Sequence, residues 1–380
     1  MKNEQFPVKI NLCASGDVDN PKTWSGTPFN IFSELKRKNL VDTIFSLHES
    51  FIFKRGAKFL SLLYYFNNQD VFRGRLSRIV SRRIVLNSLR KSSSKNTLHF
   101  GTLGFSFAKM PDNQNHYIYI DSTWALRSTQ TAFMGKYSKR LIEDAELLES
   151  NSFNVCKHIF TISEYVKKNL IEHYLIPEHK ITVVGTGVGV IKPYTGIKNY
   201  NNGKILFVAK GRFEDKGGHL VINAFKKALE SNPNLELTIV GQKSYAHLDI
   251  HPKIKTYGFI PLEELQSLFE THSLFLMPAF YEPWGLVYLE ALICKMPIVG
   301  LNRNSFPELS NYGEFGFGID TPSEDLLAET ISYAFKNPDL LEKMGLAGQA
   351  YCLSNFTWEA SVDVMIKKIN SLNENAPVSI

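Results

Sequence analysis

The sequence predicts an α/β protein made of two doubly wound domains with parallel sheets, and three observations predict it. Short apolar runs alternate with amphipathic stretches of helical length, the order expected of parallel strands joined by crossover helices. The length of 380 residues suits two domains of about 150 to 200 residues each. Between the halves lies KPYTGIKNYNNGK (192–204), polar and rich in Gly, Asn and Lys, which marks the best candidate linker.

The elements follow in chain order. VKINLCASG, HYIYIDST, HIFTIS and KITVVGTG read as strands of the first half, with EYVKKNLIEHY as a helix after HIFTIS. KILFVAKG, LELTIVGQ, KIKTYGFI, SLFLMPAF and PIVGLN read as strands of the second, with HLVINAFKKALES as a helix after the first of them. Ligands of such sheets sit beyond the carboxyl ends of the strands, so the loops there are where chemistry is expected, in a cleft between the two domains.

Composition narrows the class. With 44% hydrophobic and 21% charged residues the chain reads as an ordinary soluble protein. Cys13, Cys156, Cys294 and Cys352 are far apart and form no CxxC pair, which argues against a disulfide framework or a structural zinc site and fits a reducing compartment. The N-terminus is read as carrying no signal peptide, and no apolar run approaches the ~18 residues of a membrane span. A cytoplasmic location is expected.

Two loops carry the candidate chemistry. In YEPWGLVYLE (281–290), Glu282 precedes Pro283, which disfavours the helical region for the residue before it and suits a helix's first turn. The reading is a strand, a loop with Glu282 at its tip, and a helix from near Trp284 carrying Glu290 roughly two turns in. The backbone N–H groups at 284–287 then form a helix N-terminus fit for phosphate, with one carboxylate on either side. A nucleotide sugar has that layout. The plainer alternative makes Glu282 a helix cap and Glu290 a surface residue.

The second loop lies in KGRFEDKGGHLVINAF (210–225), where a strand ends at Ala209 and a helix begins near His219. Arg212 and Lys216 beside Gly211, Gly217 and Gly218 suit a diphosphate, the glycines allowing close backbone approach. Basic loops are more often solvated surface, but both loops belong to one parallel domain and can converge on one sheet edge.

Together GRFEDKG and EPWGLVYLE resemble the retaining glycosyltransferases of family 4, which have a glutamate, seven residues, glutamate signature and the GT-B fold of two Rossmann-like domains facing across a cleft. The likeness continues through NRNSFPEL (302–309) and NFTWEASVDVMIKKIN (355–370), which resembles the family's last helix packing back on the first domain. In the first half it is thinner, resting on WSGTPFNIFSELKRKN (24–39) as the glycine loop and first helix, and on TISEYVKKNL with IPEHKITVVGTGV before the linker. The resemblance implies an acceptor-side domain at 1–192, a nucleotide-sugar domain at 193–358 and a returning helix at 359–380.

Residue by residue, it implies that Arg212 and Lys216 hold the donor diphosphate, Glu282 contacts the transferred sugar and Glu290 the ribose. Pro283, Trp284, Gly285 and Leu286 form the loop whose backbone meets sugar and phosphate, Gly26 approaches the phosphates, and the YGFI turn (257–260) seats the base. Many family members end the corresponding first-domain strand with a histidine near the anomeric carbon, whereas YIYIDSTW places Asp121 there, with His116 and His99 as alternatives. Asp121 as an Asx cap of the next turn is the plainer reading, and His99 as a packed strand-end residue. No acidic pair is read as metal-holding, and no cofactor is implied beyond the donor substrate. A nucleotide-sugar-binding subunit without activity and a GT-B sugar-nucleotide epimerase remain open.

A third feature bears on the acceptor, a glycan or a lipid-linked group. Between Phe51 and Lys95 stand eleven Lys and Arg against one acid, Asp70, so this stretch is +10 in a chain of +6. In FRGRLSRIVSRRI, Phe72, Leu76, Ile79, Val80 and Ile84 are expected on one helical stripe and Arg75, Arg78 and Arg82 on another. Such a helix fits a peripheral place on an anionic membrane face, or simply packs on the sheet. Nucleic acid is not expected, since no stacking motif accompanies the charge.

Overall fold

The computed structural model describes residues 8–47, 59, 62–64, 74–103, 113–129, 137–241 and 250–374. The chain divides into two compact units, residues 1–187 with 358–380, and residues 188–357. Each is built on a parallel six-stranded sheet with helices.

In the first unit the strands are β1 (Ile10–Ala14), β2 (Val41–Ser46), β3 (Asn96–Phe100), β4 (Asn115–Ile120), β5 (His158–Thr161) and β6 (Ile181–Val183), in the order β2-β1-β3-β4-β5-β6. The order reverses between β1 and β3, the switch point at which loops splay apart and leave a crevice. Its helices are α1 (Thr27–Arg37), α2 (Arg75–Leu89), α3 (Trp124–Ser128), α4 (Lys139–Val155), α5 (Glu164–Glu172) and, from the chain's end, α12 (Trp358–Glu374). Tyr117, Tyr119, Phe153, Phe160 and Trp124 are its largest fully buried side chains, each worth about 1.5–3 kcal/mol of apolar burial.

The terminal helix α12 packs on α1. Val362, Met365 and Ile369 are buried, Arg37 and Lys38 pair with Glu359 (2.6 Å) and Asp363 (2.8 Å), and Asn373 is hydrogen-bonded to Asn96, Asn115 and Lys157. The exposed pairs are worth little; the buried apolar stripe and the satisfied amide carry the docking.

The second unit holds β7 (Lys204–Val208), β8 (Glu236–Val240), β9 (Ile254–Tyr257), β10 (Leu274–Leu276), β11 (Ile298–Leu301) and β12 (Gly316–Ile319), in the order β12-β11-β10-β7-β8-β9. The helices are α6 (Gly218–Ser231), α7 (Leu262–Thr271), α8 (Leu286–Ile293), α9 (Phe306–Leu309), α10 (Glu324–Lys336) and α11 (Pro338–Asn355). Here β7 and β10 are neighbours and the order reverses between them. Residues 192–204 are packed on this unit: Lys198 Nζ donates to the carbonyls of Phe269, Glu270 and His272 at 2.6–3.0 Å, and Tyr200 Oη to that of Lys295 at 2.8 Å.

All nine runs read as strands are strands. Of the other three, β3 was marked only through His99 as a strand-end residue, and β2 and β12 escaped the alternation for local reasons. β2 is an edge strand with only Phe45 buried. β12 reads GFGI because its neighbours leave no room: a Cβ on Gly316 would stand 1.9 Å from the Ile298 carbonyl, and one on Gly318 1.8 Å from Asn302 Oδ1.

The basic helix corrects the sequence reading. Ile79 is 58% exposed, whereas Arg78, expected on the polar face, is 3% exposed and buried together with Ser81, Val85 and Leu89. Arg78 donates to Thr102 Oγ1 at 2.9 Å and to the Thr102 carbonyl, and Thr102 in turn donates to the buried Glu149. A polar network at the sheet end therefore turns the helix so that an arginine, not an isoleucine, faces inward. Arg75 is forked onto Asp144 at 2.7 and 3.0 Å, so two of the expected surface cations are engaged within the unit. Phe72 and most of 51–73 lie outside the described residues.

Asp42 supplies a stability test. Its carboxylate accepts from the Ser92 and Ser93 hydroxyls at 2.8 and 2.6 Å and from the Ser93 and Ser94 amides at 3.0 and 3.2 Å. Burial alone would raise its pKa, but these four donors hold it down at about 2. Because the folded value is depressed, the stabilisation is complete above the ordinary 3.8 and is lost as pH falls toward about 2. Asp42→Ala is expected to cost about 1–3 kcal/mol at pH 7 and to flatten the acid limb of stability in that window. Urea unfolding at pH 7 and through that window checks it.

Candidate functional site

The second unit assembles its candidate site from the two loops that leave β7 and β10. Since those strands are adjacent and parallel, residues 209–217 and 277–285 emerge side by side at the switch point of the sheet. They are stitched together by the Phe280 amide donating to the Asp215 carbonyl at 2.9 Å. Gly217 has φ 79° and a Cβ there would lie 2.5 Å from the Pro278 carbonyl, so glycine is required on both counts.

Arg212 spans the two loops. Its guanidinium donates to Glu282 Oε2 at 3.2 Å, to the Tyr281 carbonyl at 2.9 Å and to Asp215 Oδ2 at 3.3 Å. Lys216 is buried, with Nζ 3.3 Å from the Val208 carbonyl and 4.0 Å from Glu282 Oε2. Burial pushes the Lys216 pKa down to about 8; Glu282 and Glu290 pull it up, and Arg212 and Lys210 push it further down. A cation that pays for its own desolvation, seated among four other charges, is poised to gain from an incoming anion.

Glu282 does not cap the helix that follows. The N-cap of α8 is Gly285, in the left-handed region at φ 85°, and the helix starts at Leu286, so Glu290 lies about one turn in. Trp284 is buried against Phe356, ring centroids 5.8 Å apart, which leaves the backbone of Pro283, Trp284 and Gly285 as this loop's outward contribution. The Ser305 hydroxyl, from the NRNSFPEL segment, donates to the Pro283 carbonyl and fixes the loop from behind.

Glu290 is buried rather than a surface residue. Its Oε1 accepts from the Val190 amide at 2.8 Å, and a Cβ on Gly189 would stand 2.0 Å from that oxygen. Burial raises its pKa, while the Val190 and Ile191 amides, Lys210 and Lys216 favour the charged form. Lys210, left-handed at φ 50° at the end of β7, is thus a site cation that the sequence reading passed over, although its loop was marked. In the YGFI turn, Phe259 is 64% exposed and its ring lies 3.6 Å from where a Gly211 Cβ would be.

In the first unit, Gly26 is the N-cap of α1 at φ 87°. Asp121 follows the end of β4 and accepts from the Trp24 indole N–H at 2.9 Å. The cap of the next helix is Thr123, whose hydroxyl accepts from the Leu126 amide at 3.2 Å, so Asp121 is not needed for that turn. The two histidine alternatives are inside the sheet layer, His99 Nε2 and His116 Nδ1 2.9 Å apart, both with pKa lowered by burial. A D-x-D spacing does occur at Asp17–Val18–Asp19, where Asp17 accepts from Ser46 Oγ at 3.0 Å. Among the described residues no group of three His, Cys, Asp or Glu is placed to hold a metal ion, and no helix is long and apolar enough to cross a membrane.

Residues 193–351, nearly all of the second unit, match the family model of the glycosyl transferases group 1. The second unit carries the domain that this family model describes. Among curated proteins, the chain is similar to the putative glycosyltransferase YtcC of Bacillus subtilis, 24% identical over 57% of this chain and 60% of its own length. The capsular polysaccharide biosynthesis glycosyltransferase CapM of Staphylococcus aureus is 26% identical over 56% and 62%. The chain thus spans about three fifths of these relatives. Among solved structures, sucrose-phosphate synthase of Thermosynechococcus elongatus has a TM-score of 0.74 at 14% identity, covering 97% of this chain and 100% of that one. Anabaena Alr3699/HepE, solved in complex with UDP-glucose, has a TM-score of 0.62 at 15% identity, covering 96% and 99%. The fold of the chain is GT-B-like, with its last helix on α1.

Proposed function

We propose that the protein is a retaining, metal-independent hexosyltransferase that moves a sugar from a nucleoside-diphosphate donor to a glycan or lipid-linked acceptor. The observation that carries this reading is the convergence of Arg212 and Lys216 on Glu282 at the switch point of the second sheet, with Glu290 buried behind it. Breaking the bond between the anomeric carbon and the diphosphate builds negative charge on the leaving oxygen. Fixed cations at that place stabilise the charge with little movement of their own. Arg212 and Lys216 take the diphosphate, and the N-terminus of α8 adds backbone N–H groups.

Glu282, released from part of its pairing when phosphate arrives, turns to the sugar hydroxyls and orients rather than attacks. Glu290 receives the ribose, and Gly26 lets the chain approach the phosphates. Asp121 is taken as the acidic group for the transferred sugar, a carboxylate that steadies the positive charge of an oxocarbenium-like transition state. The departing phosphate then takes the acceptor's proton on the face it leaves, which retains configuration. Docking of the basic residues 51–95 on an anionic membrane would bring a lipid-linked acceptor within reach.

Release of free UDP, GDP or ADP from UDP-glucose, GDP-mannose and ADP-glucose, with sugar and lipid acceptors and with chelator present, tests the reading. Acceptor-dependent release from one donor despite chelation is expected. Saturable binding without release would make the chain an inactive subunit, and conversion of a donor with no acceptor would make it an epimerase.

A further inference from the structure

The loop after β1 contains a backbone feature that the transferase reading leaves unexplained. Trp24, Ser25 and Gly26 stand in succession at φ 49°, 55° and 87°. Only the glycine adopts this region without strain, so two consecutive side-chain-bearing residues must be held there by their surroundings. What holds Trp24 is visible. Its ring meets Phe100 and Tyr119 edge-on, with centroids 6.3 and 6.1 Å away, at the ends of β3 and β4. Its indole N–H donates to Asp121 Oδ2 at 2.9 Å.

Asp121 is anchored on its other side as well. Three residues on, the Trp124 amide donates to the buried Glu149, which also accepts from Tyr174 Oη at 2.8 Å, and Thr123 closes the first turn of α3. The backbone after Asp121 is therefore fixed, and the bond from Trp24 holds one oxygen of its carboxylate, Oδ2.

We propose that Trp24 is a positioning residue: its indole N–H sets the orientation of Asp121 and ties it to the left-handed turn that carries Gly26. The glycine turn and the acidic group are thereby placed by one side chain, although 97 residues separate its two ends in sequence. The inference rests on the reading of Asp121 as the acidic group at the transferred sugar. It assigns to Trp24 no contact with substrate.

The test is a double-mutant cycle on the full chain, read with whichever of UDP-glucose, GDP-mannose or ADP-glucose supports nucleotide release. Trp24→Phe keeps an aromatic ring against Phe100 and Tyr119 but has no N–H. It is expected to lower kcat about tenfold or more, the scale of a misplaced reacting group, with the donor KM unchanged within about twofold. In an Asp121→Ala background the same change should cost nothing further, since the group it orients is gone. Full turnover in Trp24→Phe beside a crippled Asp121→Ala would overturn the inference and leave the role of Asp121 standing. Full turnover in Asp121→Ala would overturn both. Independent, multiplicative losses would also overturn it, because Trp24 would then act through some other group.

If Trp24→Phe does not fold, NMR decides. The Trp24 indole N–H resonance, one of four in the chain and assigned through contacts to the Phe100 and Tyr119 rings, should move in Asp121→Ala. An unmoved resonance would show that the bond is not made in solution.

Discussion

Lys216→Met is expected to lower turnover by about 10²-fold or more, the scale of losing one preorganised donor to a developing oxyanion, and to make the protein more stable at pH 7. The two effects have one cause. Lys216 is buried, and burial pushes its pKa from 10.5 to about 8 against the pull of Glu282. A folded-state value below the unfolded one means that the native state bears the cost of a buried charge fully below pH 8. That cost is relieved as pH rises through 8 toward 10.5, where the unfolded chain still holds the proton and the native state does not. An apolar side chain of similar length removes the cost, which at about 1.4 kcal/mol per pKa unit is of the order of a few kcal/mol. The advantage of the variant should be full below pH 8 and fade by about 10.5. Nucleotide release and denaturant midpoints at pH 7 and 10 measure both halves. Unchanged turnover in the folded variant would remove Lys216 from the diphosphate site, and a lower midpoint at pH 7 would show that its charge is fully compensated in place.

Glu282→Gln is expected to lower turnover about 10²-fold or more, a loss of that order following when a group that orients the reacting sugar is misplaced, and to move the alkaline limb of kcat/KM to lower pH. The direction follows from the charges that face Lys216. Glu282 is the stronger of the two acids raising its pKa, while Arg212 and Lys210 lower it. Neutralising Glu282 leaves Glu290 as the counter-charge, which already accepts the Val190 amide, so Lys216 loses its proton sooner. The wild-type limb, reporting the free enzyme, should fall near pH 8. A limb that does not move in the variant would belong to another group. Arg212, which loses its 3.2 Å partner in this variant, keeps its other two acceptors and is expected to hold the loops together, so melting behaviour should change little.

Much of the site could be read before the structure because its parts are local. A proline after Glu282, glycines beside Arg212 and Lys216, and apolar runs ending at both loops are decided within about ten residues. That Glu290 is buried and Glu282 is not a cap could not be read so, since both depend on which backbone arrives from elsewhere: residues 189–191 in the one case, Arg212 in the other. The α2 helix shows the same limit. Its apolar periodicity named Ile79 as inward and Arg78 as outward, and the structure exchanged them because Thr102, itself tied to Glu149, gives the guanidinium a buried, hydrogen-bonded place. Lys210 and Trp24 passed unnoticed for a related reason. Each is an ordinary residue in a loop until its left-handed backbone and its charged or hydrogen-bonded neighbour are seen together.

By itself the sequence determined two parallel α/β domains, the nine apolar runs that became strands, the two loops of the second sheet and the family likeness. All of these are written in short-range periodicity and in the backbone needs of Gly and Pro, which act between neighbours along the chain. Only the tertiary structure decided that β7 and β10 lie side by side, so that two cations seventy residues from Glu282 and closer meet its carboxylate. Only it decided which way α2 faces and that Trp24 reaches Asp121. Strand order and buried polar partners are set by the packing of the whole sheet and by the cost of leaving any interior donor or acceptor unpaired, and neither quantity resides in a local stretch of sequence.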